Sequence, residues 1–133
     1  MKRIVTVVLG FGVAVGLLNC GDGPTGDQST PGRLELRVTT SASGVGIMRL
    51  VVSGGAIDSV TAPGFRVYRS QAPGTQTRLL VVGSVHSGVV GYAWVPDTRT
   101  NYSAVVDEVA ASGTYSLLNA GQFTVTLAPP SGN

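Results

Sequence analysis

The sequence of 133 residues predicts an all-β fold, a single antiparallel β-sandwich of about eight strands over residues 33–128. Three observations predict this fold. Short segments rich in Val, Leu and Thr alternate apolar and polar side chains. Gly and Pro interrupt these segments at a spacing of roughly 8–12 residues, which is typical of sandwiches. No repeat with a period of about 20–50 residues suggests a solenoid or propeller instead.

The first half of this domain contains four predicted strands. The first is the clearest, because Leu34, Leu36 and Val38 alternate with charged residues and so share one buried face. Glycine and proline turns separate it from the strands that follow. The predicted ranges are 33–40, 47–53, 57–60 and 65–69.

The second half of the domain contains four more predicted strands. The segment 77–82 is an almost continuous apolar run, which suits a central strand buried on both faces. The segment 102–112 could also form a helix, but its β-branched residues and the following Gly113 favour a strand. The predicted ranges are 77–82, 89–95, 102–110 and 122–127. Alternation in six of the eight segments predicts a core of Leu34, Leu36, Val38, Met48, Leu50, Val52, Phe65, Val67, Leu79, Val81, Trp94, Phe123, Val125 and Leu127.

The N-terminus has the organisation of an export signal. Lys2 and Arg3 precede an uncharged, apolar run over 4–18, which is shorter than the roughly 20 residues that a spanning helix needs. The only cysteine, Cys20, lies two positions after this run. We therefore expect a signal peptide at 1–19 and, from Gly and Pro content, a flexible tether at 20–32 and a frayed tail at 129–133.

The segment Leu17-Leu18-Asn19-Cys20 resembles a lipobox, the recognition site of bacterial lipoprotein signal peptidase. The resemblance implies that Cys20 is lipidated and becomes the new N-terminus, so the partner of this end of the chain is a membrane. Gly21, which is not Asp, implies sorting to the outer membrane if the organism is double-membraned. The alternatives are an uncleaved N-terminal membrane anchor and an ordinary buried thiol at Cys20.

Composition argues against several classes of function. Lys2 and Arg3 account for the net charge of +2, so the exported chain is neutral and lacks the basic excess that nucleic acid binding requires. His86 is the only histidine, which argues against a zinc site and against a nucleophilic triad. Asp107 and Glu108 are adjacent, so on a regular strand they point to opposite faces. We expect no enzyme activity, no metal and no cofactor.

Aromatic residues provide the one candidate ligand site. Tyr92 and Trp94 lie two positions apart on one predicted strand and therefore share a face. If that face is external, the two rings, with Tyr68, could form a platform for a sugar. If it is internal, both rings belong to the core.

Two further resemblances concern the body of the chain. The stretch 95–105, which contains Tyr102, resembles the tyrosine corner of fibronectin type III and Ig-like sandwiches. It implies that the Tyr102 hydroxyl bonds to backbone a few residues upstream. The phrase at 91–96, Gly-Tyr-Ala-Trp-Val-Pro, is similar to cohesin and carbohydrate-binding-module sandwiches.

Together these observations predict a membrane-anchored lipoprotein with a non-catalytic binding or structural module in the cell envelope. Its partner would be an envelope protein or polysaccharide. The alternative is a carbohydrate- or small-ligand-binding lipoprotein that uses the aromatic platform.

Overall fold

The computed structural model describes residues 28–72 and 74–131, so the predicted signal peptide and Cys20 lie outside it. The described part is an all-β sandwich, which confirms the predicted fold class. Residues 129–131 of the predicted tail are exposed and have no regular structure. The elements are β1 (Gly32–Thr40), β2 (Val45–Ser53), β3 (Ser59–Thr61), β4 (Arg66–Gln71), β5 (Thr77–Val85), β6 (Gly88–Val95), β7 (Ser103–Ala111), β8 (Leu117–Leu118), a 3₁₀ turn (Ala120–Gln122) and β9 (Phe123–Ala128).

Two antiparallel sheets form the sandwich. The four-stranded sheet has the order β3-β6-β1-β9, and the five-stranded sheet has the order β4-β5-β2-β7-β8. Only β4–β5 and β7–β8 are hairpins within one sheet, because the other connections cross between the sheets. β1 and β2, which follow one another in sequence, are therefore internal strands of opposite sheets.

The core lies between the sheets and is built from one face of each long strand. Six of its side chains, from β1, β2 and β5, have no solvent exposure at all. Burying each large side chain contributes about 1.5–3 kcal/mol. Phe65, Val67 and Leu127 pack against this core while remaining partly exposed. The predicted core residues that are fully or nearly buried are Leu34, Leu36, Val38, Met48, Leu50, Val52, Leu79, Val81, Phe123 and Val125.

Trp94 is the exception, and its assignment to the core is wrong. In β6 the inward positions are occupied by the smaller Gly91, Ala93 and Val95, and Trp94 is 46% exposed on the outer face. Gly91 explains why the larger residues of β6 face outward. A Cβ at position 91 would lie 2.9 Å from the carbonyl oxygen of Thr61. Space near β3 therefore requires a small inner residue, and alternation then turns the large ring outward.

The segment 102–112, which the sequence allowed to be a helix or a strand, forms a strand. β7 runs over Ser103–Ala111 between β2 and β8, so the helical alternative for 102–112 is wrong. A tight turn with Tyr115 at φ 55° leads into β8, a strand of two residues that the sequence did not predict. Its pairing reaches only Val109 and Ala110, which is too short to produce visible alternation.

The last part of the predicted tether is attached to the sandwich. The carbonyl oxygen of Thr30 accepts a hydrogen bond of 2.8 Å from the Thr98 amide, and the Arg99 guanidinium donates to the carbonyl of Gln28 at 2.5 Å. Asp97 accepts from the Thr30 amide at 3.2 Å. A hydrogen bond from the Arg99 side chain holds the pKa of Asp97 well below its usual value. Residues 28–32 therefore belong to the folded body rather than to a free linker.

Candidate functional site

The predicted aromatic platform is divided between the two outer faces of the sandwich. Tyr92 and Trp94 lie together on the outer face of the four-stranded sheet, as their spacing predicts. Tyr68 is on β4, and its register opposite Leu80 places it on the outer face of the five-stranded sheet. Because the core separates these faces, Tyr68 cannot share a ligand with the other two rings.

One of the two remaining rings is already covered. The Arg33 guanidinium carbon lies 4.4 Å from the centroid of the Tyr92 ring, a distance that suits a cation–π contact. Arg33 is also the direct cross-strand neighbour of Trp94. A sugar approaching this face would find Trp94 open and one side of Tyr92 occupied by Arg33.

Tyr102 has a structural role that differs from the expected one. It is 6% exposed, and its hydroxyl donates a hydrogen bond of 3.1 Å to the carbonyl oxygen of Ala56. Ala56 lies in the β2–β3 connection, far upstream in sequence, so the expected bond to nearby upstream backbone is not formed. Burial raises the pKa of the Tyr102 hydroxyl, and the carboxylates of Asp58 and Asp97 raise it further. The ring thus closes one end of the sandwich.

The outer face of the five-stranded sheet, which we call the five-strand face, carries three of the five large hydrophobic side chains that are exposed among the described residues. Its apolar side chains are aligned across β4, β5, β2, β7 and β8 by the strand register. Three of them, Tyr68, Val105 and Leu117, are 57%, 64% and 70% exposed. The apolar members of this face are Ile47, Val51, Tyr68, Leu80, Val82, Val105, Ala110 and Leu117.

A charged cluster lies at the centre of this face. Nε of Arg49 is 2.7 Å from Oδ2 of Asp107, and a terminal nitrogen of Arg49 is 2.7 Å from Oε2 of Glu108. The expectation that the two carboxylates point to opposite faces is wrong. Arg49 pairs with Glu108 while Leu50 pairs with Val106, so Asp107 is the extra residue of a β-bulge. The bulge shifts the alternation by one position and brings both carboxylates to the same arginine.

Beside this cluster the surface forms a shallow depression of about 330 Å³ between Tyr68, Leu80 and Arg78. The Arg78 guanidinium has no hydrogen bond or ion pair within the described residues, and the same is true of the Arg66 guanidinium on the neighbouring strand. Arg69, by contrast, donates to the carbonyl oxygens of two residues before β3. The depression therefore has an apolar floor and an unneutralised positive rim.

The remaining polar candidates have local roles. Nδ1 of His86 is 2.9 Å from the carbonyl oxygen of Ser84, and the Ser87 hydroxyl donates to the carbonyl oxygen of Thr40 at 2.7 Å. These bonds belong to the β5–β6 turn and to the end of β1. No group of three or more His, Cys, Asp or Glu side chains comes together within residues 28–72 and 74–131. The same residues include no helix with the length and hydrophobicity of a membrane span.

No protein-family model matches the chain, and no curated protein or solved structure is significantly similar to it. The argument for function therefore depends on the two outer faces and on the N-terminal sequence. Of these, the five-strand face combines several exposed apolar side chains with the arginine side chains of Arg66 and Arg78, which lack partners within the described residues.

Proposed function

We propose that this protein is a lipid-anchored, non-catalytic binding module of the bacterial cell envelope that holds a protein partner on its five-strand face. The observation that supports a protein partner is the exposure of Tyr68, Val105 and Leu117 on one continuous sheet surface. Its apolar side chains surround the charged cluster at Arg49, and exposed apolar surface bordered by polar groups marks interaction sites. Aromatic and arginine side chains, present here as Tyr68 and Arg78, are enriched at protein interfaces.

The N-terminal sequence supports the anchor. Two or more acyl chains on Cys20 hold a protein on a bilayer stably, whereas one chain does so only marginally. Gln28, the first described residue, follows Cys20 by eight positions. A fully extended chain of that length spans at most about 30 Å. The proposed anchor therefore keeps the five-strand face close to the membrane, where an envelope partner is available.

The anchor is tested by metabolic labelling. Cells that express the full chain should incorporate radiolabelled palmitate into it, and Cys20→Ala should abolish the label. Membrane fractionation then tests the sorting implied by Gly21: in a double-membraned host, the labelled protein should be in the outer membrane. Label that persists in Cys20→Ala would contradict the lipoprotein assignment, and protein found only in the inner membrane would contradict the sorting.

The partner face is tested by photo-crosslinking in the native envelope. A photoreactive amino acid replaces Tyr68 in the full chain, and we expect a covalent product with one defined protein. Leu80→Asp, next to Tyr68 on the same face, should remove the product because it introduces charge into the apolar contact. Thr126→Asp, its matched control on the outer face of the other sheet, should leave the product intact. Equal products from all three proteins would refute the assignment of this face.

A second candidate function is supported by the exposure of Trp94. A single open indole on a sheet surface can stack on a sugar ring, so an envelope polysaccharide is a possible ligand for the four-stranded sheet. Trp94 is the only tryptophan, and its intrinsic fluorescence therefore reports this surface alone. Titration with polysaccharide from the same envelope should change the emission, and Trp94→Ala should lose binding while Tyr68→Ala keeps it. An unchanged emission spectrum at saturating polysaccharide would exclude this function.

A further inference from the structure

We infer that the occupant of the five-strand face is a second copy of this chain, packed face to face about a two-fold axis parallel to β2. This inference rests on the proposed function, since it names the partner of the same face. It is supported by the distribution of charge across the face, by the arrangement of its apolar rows and by its area.

The charge on this face is divided between its two flanks. On the β4–β5 flank, the guanidinium groups of Arg66 and Arg78 have no ion pair or hydrogen bond within the described residues. On the β7 flank, Asp107 and Glu108 share a single cation, Arg49. One flank therefore has an excess of positive charge, and the other has an excess of negative charge.

This asymmetry makes the face complementary to itself. A two-fold rotation about an axis that lies in the interface and runs parallel to β2 places β5 of one copy opposite β7 of the other. Arg78 of each copy then lies opposite Val105 of the second copy, because both are register partners of Val51, and Asp107 and Glu108 follow at the next outward position of β7. An axis perpendicular to the strands would instead put β5 on β5 and β7 on β7, so that each flank would meet a flank of the same charge. Charge complementarity thus selects one of the two symmetric arrangements.

The apolar side chains fit the same arrangement. Ile47 and Val51 are on β2, so they lie near the axis and meet the equivalent residues of the second copy. Val82 on β5 then lies opposite Ala110 on β7, since both are register partners of Ile47. Arg49 is drawn off the axis, because its two carboxylate partners are both on β7. The two copies of Arg49 are therefore held apart.

The area is sufficient for a specific but weak dimer. Five strands at about 4.8 Å spacing, with long strands of nine residues, give a face of roughly 600 Å² on each copy. The total of roughly 1,200 Å² is above the ~1,000 Å² expected of a biological interface. Attachment of both copies to one membrane would raise their effective concentration, so a weak contact in solution is adequate.

The outer face of the four-stranded sheet is not complementary to itself in this way. Arg37 forms an ion pair with Glu35 at 3.0 Å, and Arg33 is stacked on Tyr92. The cations of that face are thus already engaged within one copy. Its β9 edge presents outward threonines, which offer neither charge nor a large apolar contact.

Cysteine crosslinking in membranes tests whether two copies meet at this face. Val51→Cys in the full chain should give a disulfide-linked dimer within minutes of mild oxidation with copper–phenanthroline, because Val51 lies near the proposed axis. Thr126→Cys is the matched control on the opposite face and should give at least about tenfold less dimer. The wild-type chain measures any background from Cys20. Equal dimer from both variants, or none from Val51→Cys, would overturn the inference.

Charge reversal tests the proposed arrangement within that dimer. In the Val51→Cys background, Arg78→Glu should reduce dimer yield about tenfold, because it places like charges opposite each other twice per dimer. Adding Asp107→Arg to the same chain restores opposite charges and should recover most of the yield. Circular dichroism confirms that each variant is folded. A yield that Arg78→Glu leaves unchanged, or that the second reversal fails to recover, would refute the β5-to-β7 arrangement.

The same experiments separate failure of this inference from failure of the proposed function. Suppose that Val51→Cys gives no dimer, that the Tyr68 photo-crosslink captures a different protein, and that Leu80→Asp removes this product. The second copy is then the wrong occupant, but the five-strand face is still a docking face. If neither reagent gives a product, both proposals are wrong.

Discussion

The contact between Gly55 and Tyr102 allows a quantitative test of how the sandwich is closed. A Cβ at position 55 would lie 2.8 Å from the Tyr102 hydroxyl oxygen and 3.0 Å from Cζ. Gly55→Ala should therefore destabilise the domain by about 1–3 kcal/mol, the usual cost of overpacking. Tyr102→Phe removes the donor to the Ala56 carbonyl and should cost about 1–2 kcal/mol, because this acceptor is left without its partner.

The double variant should be more stable than the sum of these effects implies. Without the hydroxyl, the closest atom to the new Cβ is Cζ at 3.0 Å, so the shortest contact disappears. We expect the two substitutions together to cost about 1 kcal/mol less than their sum, a coupling typical of residues in direct contact. Arg37→Ala lies on the outer face of the other sheet, so its effect on the free energy of unfolding should simply add to that of either substitution.

Urea unfolding followed by far-UV circular dichroism measures these free energies on residues 28–131 and its variants. The slope of the free energy against urea should stay constant, so that shifts in midpoint report stability alone. Additivity within about 0.5 kcal/mol in the double variant would refute the contact. If Gly55→Ala leaves the free energy of unfolding unchanged, the β2–β3 connection has room for a Cβ at position 55 and the reasoning is wrong.

Three further predictions concern the core, the stability of the domain at acid pH, and residues 28–32. In urea melts, Phe123→Ala should cost about 3–5 kcal/mol and Arg37→Ala less than about 0.5 kcal/mol; equal effects would mean that the faces are wrongly assigned. Because the pKa of folded Asp97 is lowered, its stabilising contribution is complete above its unfolded pKa of about 4 and is lost as the pH falls through the lower folded value. Asp97→Asn should therefore flatten the acid side of the pH–stability curve, and an unchanged curve would contradict this role. Removing residues 28–32 should lower the urea midpoint of the domain, because their hydrogen bonds to the β6–β7 connection are lost; equal midpoints would show that these bonds add nothing.

Alternation of side chains predicted the strands well, but it failed where geometry departs from a regular two-residue period. At Asp107 a bulge shifts the period by one, and nothing in the residue types of 103–111 marks that position. At Trp94 the strand is regular, yet size misled the choice of face, because the close approach of Thr61 favours glycine at position 91. Both failures have long-range causes, since the neighbouring strand that decides the outcome lies elsewhere in the sequence.

The five-strand face illustrates a different limit. The apolar run 77–82 predicts a strand buried on both sides, but Leu80 and Val82 are partly exposed on the outer face. An apolar residue looks the same in sequence whether a second layer of the same chain or a separate molecule covers it. The candidate aromatic site was only partly predictable for a related reason: spacing placed Tyr92 with Trp94, while the position of Tyr68 depended on strand order.

The place of β1 in the fold has a mechanical consequence. β1 is the first strand after the proposed anchor, and it is paired along its length with β6 on one side and β9 on the other. Consider a pulling force that enters through residue 28 and acts along the axis of β1. Both ladders would then be loaded in shear, so that many hydrogen bonds must break together rather than one after another. A module tethered to a membrane and held by a partner could bear tension through this strand without unzipping.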